Sequence, residues 1–161
     1  MRDPFPKAEP EPRLIIGLGS PFGDDRVGWH VATELAARLP AQRARVRCLD
    51  RPGPALLDAM AGYRDGILID AAQTGRAPGT ILRRRPAQLA ASMAAGRSVG
   101  SSHVLGLAET LALGNLLGLL PPRLTLYLIS IDPAATDDTE GPLTPPVARA
   151  AGAVVERLLD A

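Results

Sequence analysis

The chain has 161 residues, the usual size of one domain. Hydrophobic residues make up 46% of it, which excludes a disordered chain, and aromatics only 3%, so the core must be built from Leu, Ile, Val and Ala. The formal net charge of +1 gives no electrostatic ground for nucleic acid or a membrane as partner. The one cysteine, Cys48, can form neither an internal disulfide nor a thiolate cluster. Its apolar setting, Val46 to Leu49, reads as that of a buried structural thiol and fits a cytoplasmic protein.

Residues 1–12 are Pro-rich and charged, lack the apolar stretch of a signal peptide, and read as a disordered lead-in to a single domain over 13–161. Residues 13–19 form a short apolar run ending in glycines, as a buried strand does. A helix is expected from Asp25 to Leu39, with Val27, Val31, Leu35 and Leu39 as its apolar stripe and Pro40 as its stop. A strand over 45–50 and a helix over 54–63, with Pro54 in its first turn, follow. Residues 66–70 make the clearest strand and 80–84 a further one, reached through a turn-rich segment. Residues 86–100 have no strong period and read as a mobile loop. Ser101 or Ser102 can cap a helix running to about Leu117, too interrupted by Glu109, Asn115 and glycines for a membrane span. Residues 124–131 form the last strand and 132–141 a polar loop; Thr144-Pro145 opens the final helix, which ends near Asp160. Alternating strands and helices imply a mainly parallel sheet covered on both faces.

In such a sheet, ligands bind beyond the carboxyl ends of the strands. Gly17, Gly19 and Gly23 there permit a dinucleotide-binding reading, with Asp50 as the ribose-binding acid. Asp24 and Asp25 oppose it, because two carboxylates at a helix start repel a pyrophosphate. The alternative is a divalent-metal site in which Asp25, Asp70 and His103 converge from separate elements. Asp24 is assigned to helix capping and Asp25 to chemistry. Asp70 is a charge on an otherwise apolar strand, costly unless paired or used. His103 at a helix start would stay neutral and able to bind metal. His30 shares a helix face with Glu34 and Arg38 and reads as solvated surface, and Arg83-Arg84-Arg85 reads as a guard of a sheet edge. There is no His-Glu-x-x-His, Gly-x-Ser-x-Gly, P-loop or paired cysteine.

Four segments, taken in order and spacing, resemble the hydrogenase maturation proteases. They are the first glycine loop with Asp24-Asp25, the strand Ile67 to Ala71 followed by Pro78-Gly79-Thr80, the run Ser102 to Leu107, and Gly141 to Pro145. The resemblance spans about Leu14 to Leu159. It implies a three-layer α/β/α sandwich around a twisted, mostly parallel five-stranded sheet. It also implies a metal-dependent endopeptidase with Asp25, Asp70 and His103 as metal ligands and catalytic groups, an activity of the aspartic type in that carboxylates carry it. The implied substrate is the nickel-loaded precursor of a [NiFe]-hydrogenase large subunit, whose C-terminal extension is removed. The nickel is then supplied by the substrate, with cadmium or zinc able to substitute in crystals, and the protein is expected to be a monomer. A dinucleotide-binding protein and a non-catalytic hydrogenase-assembly chaperone are the alternatives. Three features depart from the family pattern: Gly19-Ser20 stands for Gly-Asn, Arg26 replaces a glycine, and Asp50-Arg51-Pro52-Gly53 replaces Asp-x-Gly-Thr. The first loop is also one residue short, which leaves open whether Asp24 or Asp25 is the ligand.

Overall fold

The computed structural model of the protein describes residues 12–95, 102–136 and 141–161, without the side chains of 102–105 and 136. Residues 1–11, Ser101, and parts of the expected loops at 96–100 and 137–140 lie outside the described residues. Strands β1 (Arg13–Leu18), β2 (Ala44–Leu49), β3 (Asp65–Ala72), β4 (Ile81–Arg84) and β5 (Arg123–Ser130) make one sheet in the order β2-β1-β3-β5-β4. All neighbours are parallel except β4, which runs antiparallel to β5 at the edge.

Alternation along the strands sorts two cores. Ile15, Ile67, Ile69 and Ile129 pack under helices α1 (Val27–Arg38) and α5 (Pro145–Leu159). Leu14, Ile16, Leu68, Leu126 and Leu128 pack under α2 (Pro54–Met60), α3 (Pro86–Ala94) and α4 (Ser102–Leu116). The result is the expected three-layer α/β/α arrangement. Val27, Val31 and Leu35 are fully buried, as their spacing of four requires.

Two expectations are corrected. The stretch read as a mobile loop over 86–100 begins as helix α3, with Pro86 in its first turn and the Gln88 side chain accepting the Arg85 N–H at 2.8 Å. Its pattern is weak because Leu89 is its one buried residue. Cys48 is exposed rather than buried. It lies on edge strand β2, where its thiol meets the Trp29 carbonyl of α1 while the residue stays exposed at the side of the sheet that no further strand covers. His30 is exposed and sits 3.3 Å from Glu34, and the arginine run does lie on and after edge strand β4.

The glycines of β1 and α1 serve packing. A Cβ on Gly28 would lie 2.0 Å from the Leu18 carbonyl oxygen and 2.5 Å from that of Ile69, and one on Gly17 would lie 2.1 Å from the Gly28 carbonyl oxygen. Helix α1 therefore rests backbone to backbone on β1 and β3. Gly152, in α5, has nothing within 4 Å of its added Cβ. Gly28→Ala is expected to cost roughly 3 kcal/mol by overpacking, whereas Gly152→Ala should add about 0.5–1 kcal/mol. Urea unfolding midpoints of the two variants check this, and equal effects would contradict the close approach.

Candidate active site at the β1–β3 crevice

The sheet changes direction at β1: β2 lies on one side of it and β3 on the other. The carboxyl ends of β1 and β3 therefore flank a crevice at a topological switch point, where ligands bind in folds of this kind. Asp25 arrives from a 3-10 turn, Gly23–Arg26, between β1 and α1. Asp70 arrives from β3. Helix α4 precedes β5, which is parallel to β3, so the start of α4 stands at this same edge. Gly106 confirms the placement, since its added Cβ would meet Pro52 in the loop after β2 at 3.3 Å. His103 is the second residue of α4; its side chain lies outside the described residues.

Asp70 differs from its sequence reading in depth. β3 continues through Ala71 and Ala72, which pair with Ile129 and Ser130, so Asp70 sits inside the strand rather than at a solvent-open tip. It is 0% exposed, and neither carboxylate oxygen has a hydrogen-bond partner. Burial pushes its pKa well above the usual carboxylate range, and the charge of Asp25 pushes it further. The Ala71 amide opposes this without completing a hydrogen bond. Asp70 and Asp25 therefore repel each other when both are charged.

Asp24 does not cap its own turn. It is 1% exposed and accepts two hydrogen bonds from the other end of the chain, from the Thr144 N–H at 2.8 Å and the Thr144 hydroxyl at 2.5 Å. Thr144 stands at the N-cap of α5 but gives its hydroxyl to Asp24 instead of the helix. Arg26 reinforces the link, donating to the Gly23 carbonyl at 3.1 Å and to the Gly141 carbonyl. The loop that carries Asp25 is thus fastened to the start of α5 from both sides. Asp24 is committed to that task, and Asp25, half-buried, is left facing the crevice. Thr144 and the role of Arg26 were not legible in the sequence, because their partners are more than a hundred residues away.

Trp29 donates its indole N–H to the Leu49 carbonyl at 2.8 Å, and Gly19 N–H reaches the same oxygen at 3.2 Å, tying the first loop to the end of β2. Asp50, the acid of the dinucleotide reading, is exposed. A cavity of about 960 Å³ lies at the opposite edge of the sheet among Arg13, Asp65, Pro121 and Arg123, away from these carboxylates.

An α/β/α sheet with a buried carboxylate and a second acid at its switch point defines a class of site suited to a cation or to acid–base chemistry. The chain belongs to the hydrogenase maturation protease family: residues 29–161 match that family's model. It is 32% identical over 146 residues to the hydrogenase expression/formation protein HupD of Rhodobacter capsulatus, covering 89% of this chain and 68% of that protein. Among solved structures it is similar to the hydrogenase maturating endopeptidase HybD of E. coli, at 28% identity and a TM-score of 0.66 over 92% of this chain and 90% of that one. A second endopeptidase from Escherichia coli superposes with a TM-score of 0.73 at 26% identity, with the same coverage of 92% and 90%. The [NiFe] hydrogenase maturation protease HybD of Thermococcus kodakarensis, 19% identical, shares the fold with a TM-score of 0.70 over 92% of this chain and 97% of that one. No helix among the described residues is long and apolar enough to cross a membrane.

Two predictions follow from the contrast between the acids. Asp24→Ala removes the buried acceptor of two part-buried donors and should destabilise by about 2 kcal/mol. Asp25→Ala breaks no hydrogen bond of the described residues and should stay within about 1 kcal/mol of wild type; urea unfolding distinguishes them. For Asp70 the sign is opposite. The folded protein holds this proton to a higher pH than the unfolded chain does, so Asp70 subtracts stability as pH rises above about 4. Asp70→Asn should therefore melt several degrees above wild type near neutral pH, with the gap closing as pH falls toward about 4. A variant melting below wild type at neutral pH would contradict the unpaired burial.

Proposed function

We propose that this protein is the endopeptidase that removes the C-terminal extension from a nickel-loaded [NiFe]-hydrogenase large-subunit precursor. Family membership supports the peptidase reading, and the E. coli relative HybD is a hydrogenase maturating endopeptidase. The observation that carries the choice of site is Asp70, a fully buried carboxylate with no partner and a second acid beside it. A charge held this way is expensive, and an arriving cation offsets the cost.

In this proposal Asp25, Asp70 and His103 dock around the nickel that the precursor already carries. A nickel ion there supplies Lewis acidity toward the scissile carbonyl or a water. The residues of the chain supply the rest. Asp70, protonated in the free protein, loses its proton as positive charge enters, so the site becomes anionic only when a loaded substrate is present. Asp25, on a loop fixed by Asp24 and Arg26, is held in place before binding. Whichever carboxylate is not on the metal can take a proton from the attacking water. Discrimination against an unloaded precursor then has a physical basis, because such a substrate brings no positive charge to draw the proton from Asp70 beside the charge of Asp25. The protein is proposed to act as a cytoplasmic monomer and to need no resident metal.

The test is the mass of nickel-loaded precursor after incubation with wild type, Asp25→Ala, Asp70→Asn and His103→Ala, with melting curves in parallel. Wild type should shorten the precursor, and each variant should lose at least about a hundredfold in rate while remaining folded. Normal processing by stable Asp70→Asn and His103→Ala would rule out the metal-directed mechanism. Tight binding of precursor by wild type with no change in mass would identify a chaperone instead.

A further inference from the structure

The face of the sheet that carries Asp70 continues past it to the open edge. Asp70 is in register with Leu128, and Leu128 with Leu82, so the three residues form one row across β3, β5 and β4. Leu128 and Leu82 floor a groove of about 700 Å³ walled by Gln88 and Leu89 of α3, and Arg76 and Arg84 line it. The row spans two strand spacings, about 10 Å, a length covered by roughly three residues of extended chain.

The groove is built and electrically one-sided. No acidic residue lines it, and among the described residues neither arginine has a carboxylate partner. Arg84 gives one N–H to the Arg83 carbonyl at 2.9 Å, leaving the rest of its fork available. The loop that carries Arg76 is fixed from beneath by buried Ser130. Its hydroxyl donates to the Arg76 carbonyl at 3.0 Å and lies 2.8 Å from the Thr74 hydroxyl, which accepts the Arg76 N–H at 3.2 Å. A cation on an ordered loop loses less freedom on binding than one on a loose loop.

We propose that this groove is the subsite for the peptide segment flanking the cleaved bond, and that it selects an acidic side chain about three residues from that bond, paired to Arg76 and Arg84. The inference rests on the protease reading for its biological role but makes a binding claim of its own. Leu82, the partly exposed residue of the floor, meets the segment's apolar atoms, and the two guanidiniums take its carboxylate. Arg83, the neighbouring edge-strand arginine, points to the other face with Tyr127 and Arg157 and takes no part.

The test is fluorescence anisotropy with labelled tail peptides carrying a single Glu moved through the first six positions after the cleaved bond. The full chain is measured as wild type, Arg76→Ala, Arg84→Ala and Arg83→Ala, with circular dichroism as the check on folding. Affinity should peak with Glu near the third position and fall roughly tenfold in Arg76→Ala and Arg84→Ala, with Arg83→Ala unchanged. Affinity independent of Glu position, or an equal loss in Arg83→Ala, overturns the subsite. In the precursor assay Arg84→Ala should raise KM and leave kcat intact; a fall in kcat alone also overturns it. A wild type that binds the peptides with this pattern yet never shortens precursor would defeat the protease reading and leave the subsite standing.

Discussion

Asp70 places two carboxylate oxygens inside the central strand of a sheet with no hydrogen bond to either. An ordinary core would fill that position with Leu or Val, as it does at Leu68 and Leu128 on the same face. The remainder of the fold carries the cost. Two apolar layers close over the sheet, and the burial of each large aliphatic side chain contributes about 1.5–3 kcal/mol. The second acid beside Asp70 makes the conflict worse, which is opposite to what stability alone selects. Local structure that opposes stability at one point is what a binding or reacting site produces.

The surroundings of the two acids are correspondingly stiff. Gly17 and Gly28 bring α1 into backbone contact with β1 and β3, so the turn between β1 and α1 has a fixed origin. Asp24, Arg26 and Thr144 then tie that turn to the start of α5. These links hold Asp25 beside Asp70. The three-residue run Asp24-Asp25-Arg26 therefore divides its labour, with one acid and the arginine as anchors and the remaining acid at the crevice. Arg26 is accounted for by its bond to the Gly141 carbonyl, a contact that needs a long side chain with a donor.

The alternation of strands and helices and the position of Asp70 on β3 were legible in the sequence, because short apolar runs and period-four apolar spacing are written locally, whereas the strand order is not. Helix α3 was not, since a helix that buries only Leu89 carries almost no periodic signal. Cys48 was misread because an apolar neighbourhood in sequence does not say that a strand lies at the edge of its sheet. The depth of Asp70 depended on β3 running two residues beyond its apolar stretch, where Ala71 and Ala72 are too small to announce a strand. The Asp24–Thr144 pairing joins residues 120 apart, and local patterns hold no record of it.

The central claim is that Asp70 is kept protonated and unpaired until a cation-bearing substrate arrives. The carboxyl carbon resonance of ¹³C-labelled Asp70, followed by NMR through a pH titration and then on addition of nickel-free and nickel-loaded precursor, tests it most directly. The account predicts a midpoint well above that of an ordinary aspartate in the free protein. It also predicts loss of the proton near neutral pH when the nickel-loaded form is added, and none with the nickel-free form. An Asp70 that titrates like a solvent-exposed aspartate, or that keeps its proton in the presence of loaded precursor, would contradict it.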